Sequence, residues 1–514
     1  MRMKKFLSVL TVAGAMMISA APCGAAQVLT SSGALAAKFA VIADPHLYDQ
    51  SLGTTGAAFE AYLASDRKML RESEAILASA VASIKAKKPD FVVVVGDLTK
   101  DGEEQDHQKF ASYMAQLEAA GIKVYVCPGN HDINNPHAYA YSGATKTSVP
   151  NVSPGEFATI YNDFGFGEAL DRDSASLSYL AEPVPGLWLL SLDVCKYEDN
   201  AANGSSETSG AFRPETMAWV LQKLADAREQ GKTVMAIMHH GITEHYTGQS
   251  TAFPEYVVDE YEKVSAKLAN AGLRLVFTGH YHANDITETS FDNGRPNLFD
   301  VETGSLVTYP SPFRLVTLQD DKAAVHTEYV AKINYSTGGV AFPTYAKNYL
   351  YQGLLGLASY SLVYQYGLSS DVAAVYAPYI ADAFMAHYAG DETPTAQVQG
   401  LISYLISSGD ATMMYLGQML SGLWTDLPPA DTYGLLDFSR PITLSTAGSY
   451  STGVFDNGAS EIVAYDPASK RLFVVNGDSK AIDVLNAADP ENPTFLFNIP
   501  VAPYGGGVNS VAVK

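Results

Sequence analysis

The feature that most constrains the fold is a set of short apolar runs, each of which ends in a side chain that can bind a metal ion. The clearest run is Val92–Val95, which is β-branched throughout and leads into Gly96 and Asp97. A continuous apolar run of this length is typical of a strand with both sheet faces covered. In sheets built from alternating strands and helices, functional side chains lie on loops beyond the strand ends. The sequence therefore predicts that Asp97 lies in a functional site.

Four further segments place the same residue types at the end of an apolar run. They are Asp44-Pro45-His46, Gly129-Asn130-His131-Asp132, His239-His240-Gly241 and Gly279-His280-Tyr281-His282. Carboxylate, amide and imidazole ligands together suit Zn, Mn or Fe rather than Ca or Mg. The ligand set is too large for one tetrahedral ion, but it suits two ions that share a carboxylate. We therefore predict a site for two divalent or trivalent metal ions with these ligands: Asp44, His46, Asp97, Asn130, His239, His280 and His282.

Two metal ions at about 3.5–4 Å would clamp the attacking and leaving oxygens of a displacement at phosphorus and would activate a bound water. His131 follows Asn130 and is a candidate to deliver a proton to the leaving oxygen. Asp132 is a candidate to orient His131, as carboxylates often do for histidines near metal ions. Asp193, which ends a strand of its own, is a further candidate for such a supporting role.

Strand-like runs alternate with helical periodicity through the first two thirds of the chain, which indicates a layered α/β domain. We assign residues 27–335 to this domain. Helices are predicted over residues 66–87, 214–229, and near 105–120 and 256–271. Strands are predicted at residues 39–43, 91–95, 122–126, 187–192, 233–238, 273–277, 298–302, 314–319 and 323–330.

The remainder of the chain changes character twice. Residues 336–440 are predicted to be helical and are rich in Tyr, Leu, Ala and Met. Their apolar stretches contain Gln, Ser and Gly, so we expect packing on the first domain rather than a membrane span, with a lid over the substrate pocket as the alternative. Residues 441–514 contain short alternating strands separated by turn signals, which resemble one blade of a β-propeller. One blade cannot bury its own faces, so we hypothesise that the chain is a fragment that stops where a propeller begins.

The N-terminus and the overall charge bear on location and partners. Residues 1–26 begin with Arg2, Lys4 and Lys5, continue with an apolar run and end in small residues, which predicts a signal peptide and export. Cys127 and Cys195 would then remain, and we expect two core thiols, with a single bridge as the alternative. The net charge of −22 argues against a nucleic acid polymer as partner, because phosphate backbones require basic surfaces.

Taken in order, the five segments resemble the calcineurin-like metallophosphoesterases over about residues 38–285. The resemblance implies a four-layer α/β/β/α sandwich and a binuclear metal site. It implies that Asp97 bridges the ions and that His131 is the catalytic histidine. It also implies two ligand groups, Asp44 with His46 and His282, and Asn130 with His239 and His280. Because the chain has His-His-Gly where His-His-Pro is commoner, His240 is an alternative to His239, which we favour by its position.

The stretch from Gly96 to Gly102 resembles the branch of this family that cleaves cyclic nucleotides and glycerophosphodiesters. We therefore expect a secreted or periplasmic phosphodiesterase that acts on a small phosphate ester. A phosphomonoesterase of the same family is the near alternative. A surface or scaffold protein that binds partners through the helical and propeller-like regions is the alternative from another class, and the intact ligand set argues against it.

Overall fold

The computed structural model describes residues 35–291, 297–390, 392–438, 448–454 and 458–513. The predicted signal peptide, residues 1–26, lies outside this described part. The chain divides into two units, with the boundary between residues 439 and 440. The large unit contains all of the predicted metal ligands, and the small unit is a separate sheet.

The elements of the described residues are as follows. The strands are β1 (Ala36–Ile42), β2 (Phe91–Val95), β3 (Lys123–Cys127), β4 (Tyr139–Ser142), β5 (Thr145–Ser148), β6 (Asp171–Arg172), β7 (Tyr179–Val184), β8 (Leu187–Leu192), β9 (Thr233–Met238), β10 (Leu275–Thr278), β11 (Asp285–Thr289), β12 (Leu298–Glu302), β13 (Pro312–Gln319), β14 (Lys322–Tyr329), β15 (Tyr433–Asp437), β16 (Val463–Asp466), β17 (Arg471–Asn476), β18 (Ala481–Asn486) and β19 (Thr494–Pro500). The α-helices are α1 (Ala57–Leu63), α2 (Ser73–Lys87), α3 (Glu104–Glu118), α4 (Pro154–Ile160), α5 (Asn200–Asn203), α6 (Pro214–Glu229), α7 (Gln249–Ala252), α8 (Tyr261–Ala271), α9 (Phe342–Tyr360), α10 (Ser370–Ala389), α11 (Ala396–Ile406) and α12 (Ala411–Leu423).

Two large sheets form the centre of the large unit. The first has six strands in the order β15-β14-β13-β1-β2-β3, and the second has seven in the order β11-β12-β10-β9-β8-β7-β6. The sheets face one another across one apolar core, where the rings of Phe39 and Phe277 meet edge to face at 5.3 Å. Helices α2 and α3 cover the outer face of the first sheet, and α6 and α8 cover the second. The predicted four-layer α/β/β/α architecture is thereby confirmed.

Parallel pairing fixes where the strand ends lie. β1, β2 and β3 run parallel, as do β8, β9, β10 and β12. The strand β2 is buried at all five positions, as expected from its unbroken apolar sequence. The carboxyl ends of β1, β2, β3, β9 and β10 therefore supply all the loops that carry the predicted ligands.

One helix begins later than the sequence pattern predicts. We predicted a helix over residues 66–87, but α2 begins at Ser73. The backbone N–H of Lys68 donates to the Asp66 carboxylate at 2.8 Å, and the N–H of Met69 donates to the carbonyl of Val307 at 2.8 Å. These two bonds replace the intrahelical pattern, so residues 66–72 form a loop whose side chains reach the site.

The helical region packs against the metal-binding loops. Helices α9, α10 and α12 share an apolar cluster with Tyr246, Tyr281 and Ala283 of the α/β domain. After α12 the chain returns to the first sheet, where β15 pairs antiparallel with β14. This strand lies within the range that we had assigned to the helical region. No helix in the described part of the chain is long and apolar enough to cross a membrane.

The small unit is a four-stranded antiparallel sheet in the order β16-β17-β18-β19. Three of its strands lie where the alternating sequence predicts strands, and β19 is an addition. All seven residues of β19 are exposed, including Phe495 and Phe497.

Candidate metal centre

The predicted ligands converge because they follow neighbouring strands. Asp44 and Asp97 lie two residues beyond the ends of β1 and β2, and Asn130 follows β3. His239 follows β9 and His280 follows β10 in the facing sheet. With His46 and His282, these residues come together at one edge of the sandwich, and none is more than 8% exposed. So many buried ionisable groups can be stable only if they pair with one another or bind cations.

The first group of donors consists of Asp44, His46 and His282. The Nε2 atoms of the two histidines lie 3.3 Å apart, and Nε2 of His282 lies 3.5 Å from Oδ1 of Asp44. The Nδ1 atoms of both histidines are buried without a hydrogen-bond partner among the described residues. Two imidazole nitrogens that face one another beside a carboxylate fit a shared cation.

The second group consists of Asp97, His239 and His280, and Asn130 lies against it. His239 donates its Nδ1–H to the carbonyl of Val95 at 2.9 Å, which leaves Nε2 to face Oδ2 of Asp97 at 3.3 Å and Oδ1 of Asn130 at 3.1 Å. This bond fixes the tautomer of His239, as is usual for a histidine that binds metal.

Asp97 lies between the two groups. Its Oδ2 is 3.5 Å from Nε2 of His46 and 3.3 Å from that of His239, and its Oδ1 accepts the backbone N–H of His131 at 2.9 Å. Burial alone raises the pKa of Asp97, but the imidazoles of His239, His131 and His46 hold it well below its usual range. Burial alone lowers the pKa of His239, and the Asp97 carboxylate raises it to about 9. Asp97 therefore has the position and charge of a bridging ligand.

The backbone at the ligands is held in an unusual conformation. Asp44, His46, Asp97, His280 and His282 have φ angles of 47°, 36°, 49°, 77° and 70°. Left-handed backbone is uncommon for residues other than glycine and clusters at functional sites, where surrounding contacts maintain it. Here it turns successive side chains of Asp44-Pro45-His46 and His280-Tyr281-His282 inward.

Two glycines of the sequence segments are required by close packing. A Cβ atom on Gly129 would overlap the backbone and carboxylate of Asp97, and one on Gly279 would overlap the carboxylate of Asp44. The glycines that precede Asn130 and His280 therefore let the loops of two different sheets approach the carboxylates.

His131 lies at the open side of the site with its side chain 26% exposed. Its Nδ1–H donates to Oδ1 of Asp101 at 2.8 Å, and its Nε2 lies 4.0 Å from Oδ2 of Asp97. Asp101 is in turn paired with the buried Lys100. This ion pair fixes Asp101, so that it orients His131 toward the ligands.

The expectation that Asp132 orients His131 is corrected by this arrangement. The Asp132 carboxylate accepts the backbone N–H groups of Leu98, Thr99 and Gly129 at 3.1, 3.1 and 2.8 Å. Burial and the charge of Asp97 raise the pKa of Asp132 to about 7. Asp132 thus ties the loops after β2 and β3 together, while Asp101 is the partner of His131.

Two cationic side chains lie over the ligands and escaped the sequence analysis. Arg67 and Lys68 line a pocket of about 210 Å³ together with Asp97, Asn130 and His131. Lys68 is buried, and its Nζ lies 3.4 Å from Oδ2 of Asp66. The loop at residues 66–72 places both side chains above the ligands. Because we predicted a helix over these residues, the sequence analysis did not identify them as part of the site. They bring positive charge to the pocket above the ligands, which favours an anionic group there.

His240 and Asp193 have other roles. Nε2 of His240 donates to the carbonyl of Thr208 at 2.8 Å, and burial lowers the pKa of His240 to about 3. His239, not His240, faces Asp97. Asp193 accepts the hydroxyl of Tyr197 at 2.7 Å. Cys127 and Cys195 are buried free thiols, as expected for core cysteines.

Comparison with known proteins agrees with this geometry. Residues 37–284 match the model of the family described as calcineurin-like phosphoesterase. This part of the chain is therefore similar to a calcineurin-like phosphoesterase domain. The matched residues contain both groups of donors.

The solved structures to which this chain shows similarity include a dimetal phosphatase from Danio rerio, with 17% identity and a TM-score of 0.40, over 58% of this chain and 99% of that one. A purple acid phosphatase from yellow lupin seeds is another, with 11% identity and a TM-score of 0.37, over 58% of this chain and 52% of that one. No curated protein matches the sequence significantly.

Proposed function

We propose that the protein is a binuclear-metal phosphoesterase that hydrolyses phosphodiesters with a metal-activated water. The observation that carries this proposal is the pair of donor groups that meet at Asp97, one through His46 and the other through His239. Both groups are buried, and both combine carboxylate with imidazole, the ligand types that suit Mn, Zn or Fe. When bound, two such ions would polarise the phosphoryl oxygens and lower the pKa of a water between them.

The side chains around the donors support the remaining steps. Arg67 and Lys68 bind the negative charge of the phosphate group above the ligands. His131 presents Nε2 toward the same space and delivers a proton to the leaving oxygen. Asp101 holds Nδ1–H of His131, which keeps the other nitrogen available for the transfer.

The preference for diesters rests on the stretch from Gly96 to Gly102, which resembles the phosphodiesterase branch of the family. In the structure this stretch contains Asp97 as well as Asp101, the partner of His131. A phosphomonoesterase with the same ligands is the alternative, and substrate comparison separates the two.

The deciding experiment uses the purified chain loaded with Mn²⁺ or Zn²⁺. Hydrolysis of bis(4-nitrophenyl) phosphate is compared with hydrolysis of 4-nitrophenyl phosphate, with and without a chelator. We expect chelator-sensitive turnover that is faster on the diester. Faster turnover of the monoester would identify a phosphatase. Absence of turnover together with absence of bound metal would refute the proposal.

We also propose that the protein is exported, because residues 1–26 have the pattern of a signal peptide. Expression of the full sequence in a bacterium, followed by mass spectrometry of the secreted or periplasmic protein, tests this. A mature N-terminus near residue 27 is expected. Accumulation of the uncleaved chain in the cytoplasm would contradict it.

We further propose that the small unit is one blade of a β-propeller. Four antiparallel strands in sequential order are typical of one blade, and the exposed Phe495, Phe497 and Ile499 of β19 suit contact with a neighbouring blade. A cooperative unfolding transition of the small unit, separate from that of the large unit in calorimetry of the intact chain, would argue against this proposal.

A further inference from the structure

An apolar cavity adjoins the metal centre. It has a volume of about 250 Å³ and lies between helices α9, α10 and α12 and the loops of the α/β domain. The helices contribute Leu354, Ala358, Ile380 and Leu416, among others. At about 30 Å³ for each small group, the cavity has room for about eight methylene-sized units.

The cavity and the metal centre share a wall. Arg67 and Tyr256 line both spaces. The ring of Tyr256 lies 4.6 Å from that of His280, on the metal side, and 4.7 Å from that of Tyr281, on the cavity side. A group bound at the metals is therefore about one side chain away from the cavity.

Tyr281 belongs to the ligand segment itself and so joins the cavity to the metal centre through the backbone. It stands between His280 and His282, whose imidazoles line the metal pocket, while its own side chain lines the cavity. Its hydroxyl is hydrogen-bonded to that of Tyr246 at 2.8 Å, so the ring is fixed. The segment that supplies two predicted ligands thus also forms the floor of the apolar space.

The residues that line the cavity indicate which kind of ligand fits it. Among the lining residues only Arg67 and Glu255 are charged, and the carbonyl of Glu255 lies 3.3 Å from Nε2 of His280. Both are therefore at the metal end of the cavity. The Nε of Arg67 has no hydrogen-bond partner among the described residues. An anionic head beside Arg67 and an apolar tail between the helices match this distribution of charge.

We propose that the cavity binds an alkyl chain of the substrate, so that the enzyme acts on amphiphilic phosphate esters with their head at the metal centre. This inference rests on the proposed phosphoesterase activity and adds its substrate class. A nucleoside would instead place its base against Leu354, Ala358 and Leu416, where a flat polar ring buries less apolar surface than an alkyl chain.

The test is a series of methyl, butyl and octyl 4-nitrophenyl phosphates, each used below its critical micelle concentration. Burial of each methylene should raise kcat/KM about two- to fourfold until the cavity is filled, so that octyl exceeds methyl at least about 100-fold. The 4-nitrophenyl ester of thymidine 5′-phosphate serves as the competitor. Equal rates along the series, or preference for the thymidine ester, would overturn the inference while leaving the phosphodiesterase proposal intact.

Substitutions in the cavity test whether the preference for longer alkyl chains arises there. Ala358→Phe and Leu357→Trp fill the cavity, and we expect each to lower the ratio of octyl to methyl kcat/KM at least about tenfold. Ala374→Phe, at an exposed position of α10, is the matched control and should leave the ratio unchanged. A ratio unaffected by both cavity variants would contradict the assignment.

Binding is measured separately from turnover. Octylphosphonate, which is not hydrolysed, should bind the metal-loaded protein at least about 100-fold more tightly than methylphosphonate by calorimetry. If every ester is inert but this preference is present and is lost in Ala358→Phe, the catalytic proposal fails and the cavity assignment stands. If the two phosphonates bind equally, the cavity assignment fails.

Discussion

At the scale of single residues, Asp97 is the group on which the centre depends. Its Oδ2 faces donors of both groups, 3.5 Å from Nε2 of His46 and 3.3 Å from Nε2 of His239. We expect Asp97→Asn to reduce turnover at least about a thousandfold, the order seen when one member of a catalytic set is removed. Bound metal, measured by atomic emission, should fall with it. Asp163→Asn, on the exposed surface, provides the control for loss of one charge. Near-normal turnover of Asp97→Asn with an unchanged circular dichroism spectrum would show that the site is misassigned.

Asp101 gives a second residue-scale prediction, because it is hydrogen-bonded to His131, the proposed proton donor. Without that orientation, hydrolysis of an ester whose leaving group needs a proton should slow more than hydrolysis of an ester whose leaving group departs as a stable anion. We expect Asp101→Asn to lower kcat about 10²-fold for a phenyl ester and clearly less for the 4-nitrophenyl ester. Asp132→Asn should lower the melting temperature and affect both esters equally, because Asp132 binds backbone N–H groups. Equal losses on both esters in Asp101→Asn would exclude the orienting role.

The sequence predicted these ligands because each follows its own strand by one to a few residues. The order of residue types along the chain is then sufficient to find Asp44, Asp97 and His239. Arg67 and Asp101 were not found. Their roles depend on contacts with His131 and the metal pocket that local periodicity does not contain.

At the scale of elements, a buried ionic cluster fixes the loop that follows β9. His245 is fully buried, and its Nδ1 lies 3.1 Å from Asp285, while its Nε2 lies 3.3 Å from Asp300 and 3.2 Å from Glu302. The three carboxylates belong to β11 and β12, so the cluster joins this loop to the edge of the second sheet. Since removal of one partner leaves buried charges without compensation, we expect His245→Gln to lower the free energy of unfolding by about 3–5 kcal/mol near pH 6. His326→Gln, an exposed histidine, is the control.

The same cluster predicts how stability depends on pH. Burial alone lowers the pKa of His245, but Glu302, Asp300 and Asp285 raise it well above its usual value. A raised histidine pKa stabilises the fold fully below the unfolded pKa of about 6.5, and this contribution is lost as the pH rises through the folded pKa. The difference in unfolding free energy between wild type and His245→Gln, measured with urea, should therefore shrink on the alkaline side. A difference that grows with pH would contradict the charge assignment.

The start of α2 shows why an element can be placed correctly and bounded wrongly. Met69 lies on the apolar face that the helical spacing predicts, and it is indeed buried. Its backbone bond to Val307, however, belongs to another part of the chain. A local pattern reports that a side chain is buried, but not which backbone partner competes for its N–H.

At the scale of the whole molecule, the helical region is inserted between two neighbouring strands. The chain leaves the first sheet after β14, forms α9 to α12 and returns as β15. The sequence pattern did not reveal β15, because five residues with alternating exposure give a weak signal beside a long helical stretch. The helical region, which lines most of the apolar cavity, is therefore attached at both of its ends to neighbouring strands of one sheet.

This arrangement predicts that β15 anchors the helices. Leu436 is fully buried in the core of the sandwich, whereas its neighbour Leu435 is 65% exposed on the same strand. Leu436→Ala should cost about 2–5 kcal/mol of unfolding free energy, while Leu435→Ala should stay within about 0.5 kcal/mol. Because β15 closes the insertion, hydrogen exchange followed by mass spectrometry should show faster exchange in both β15 and α10 of Leu436→Ala, with β2 still protected. Unchanged protection of α10 beside a loosened β15 would mean that the helices are held by their contacts with Tyr246 and Tyr281 alone, and that the strand contributes only to the sheet.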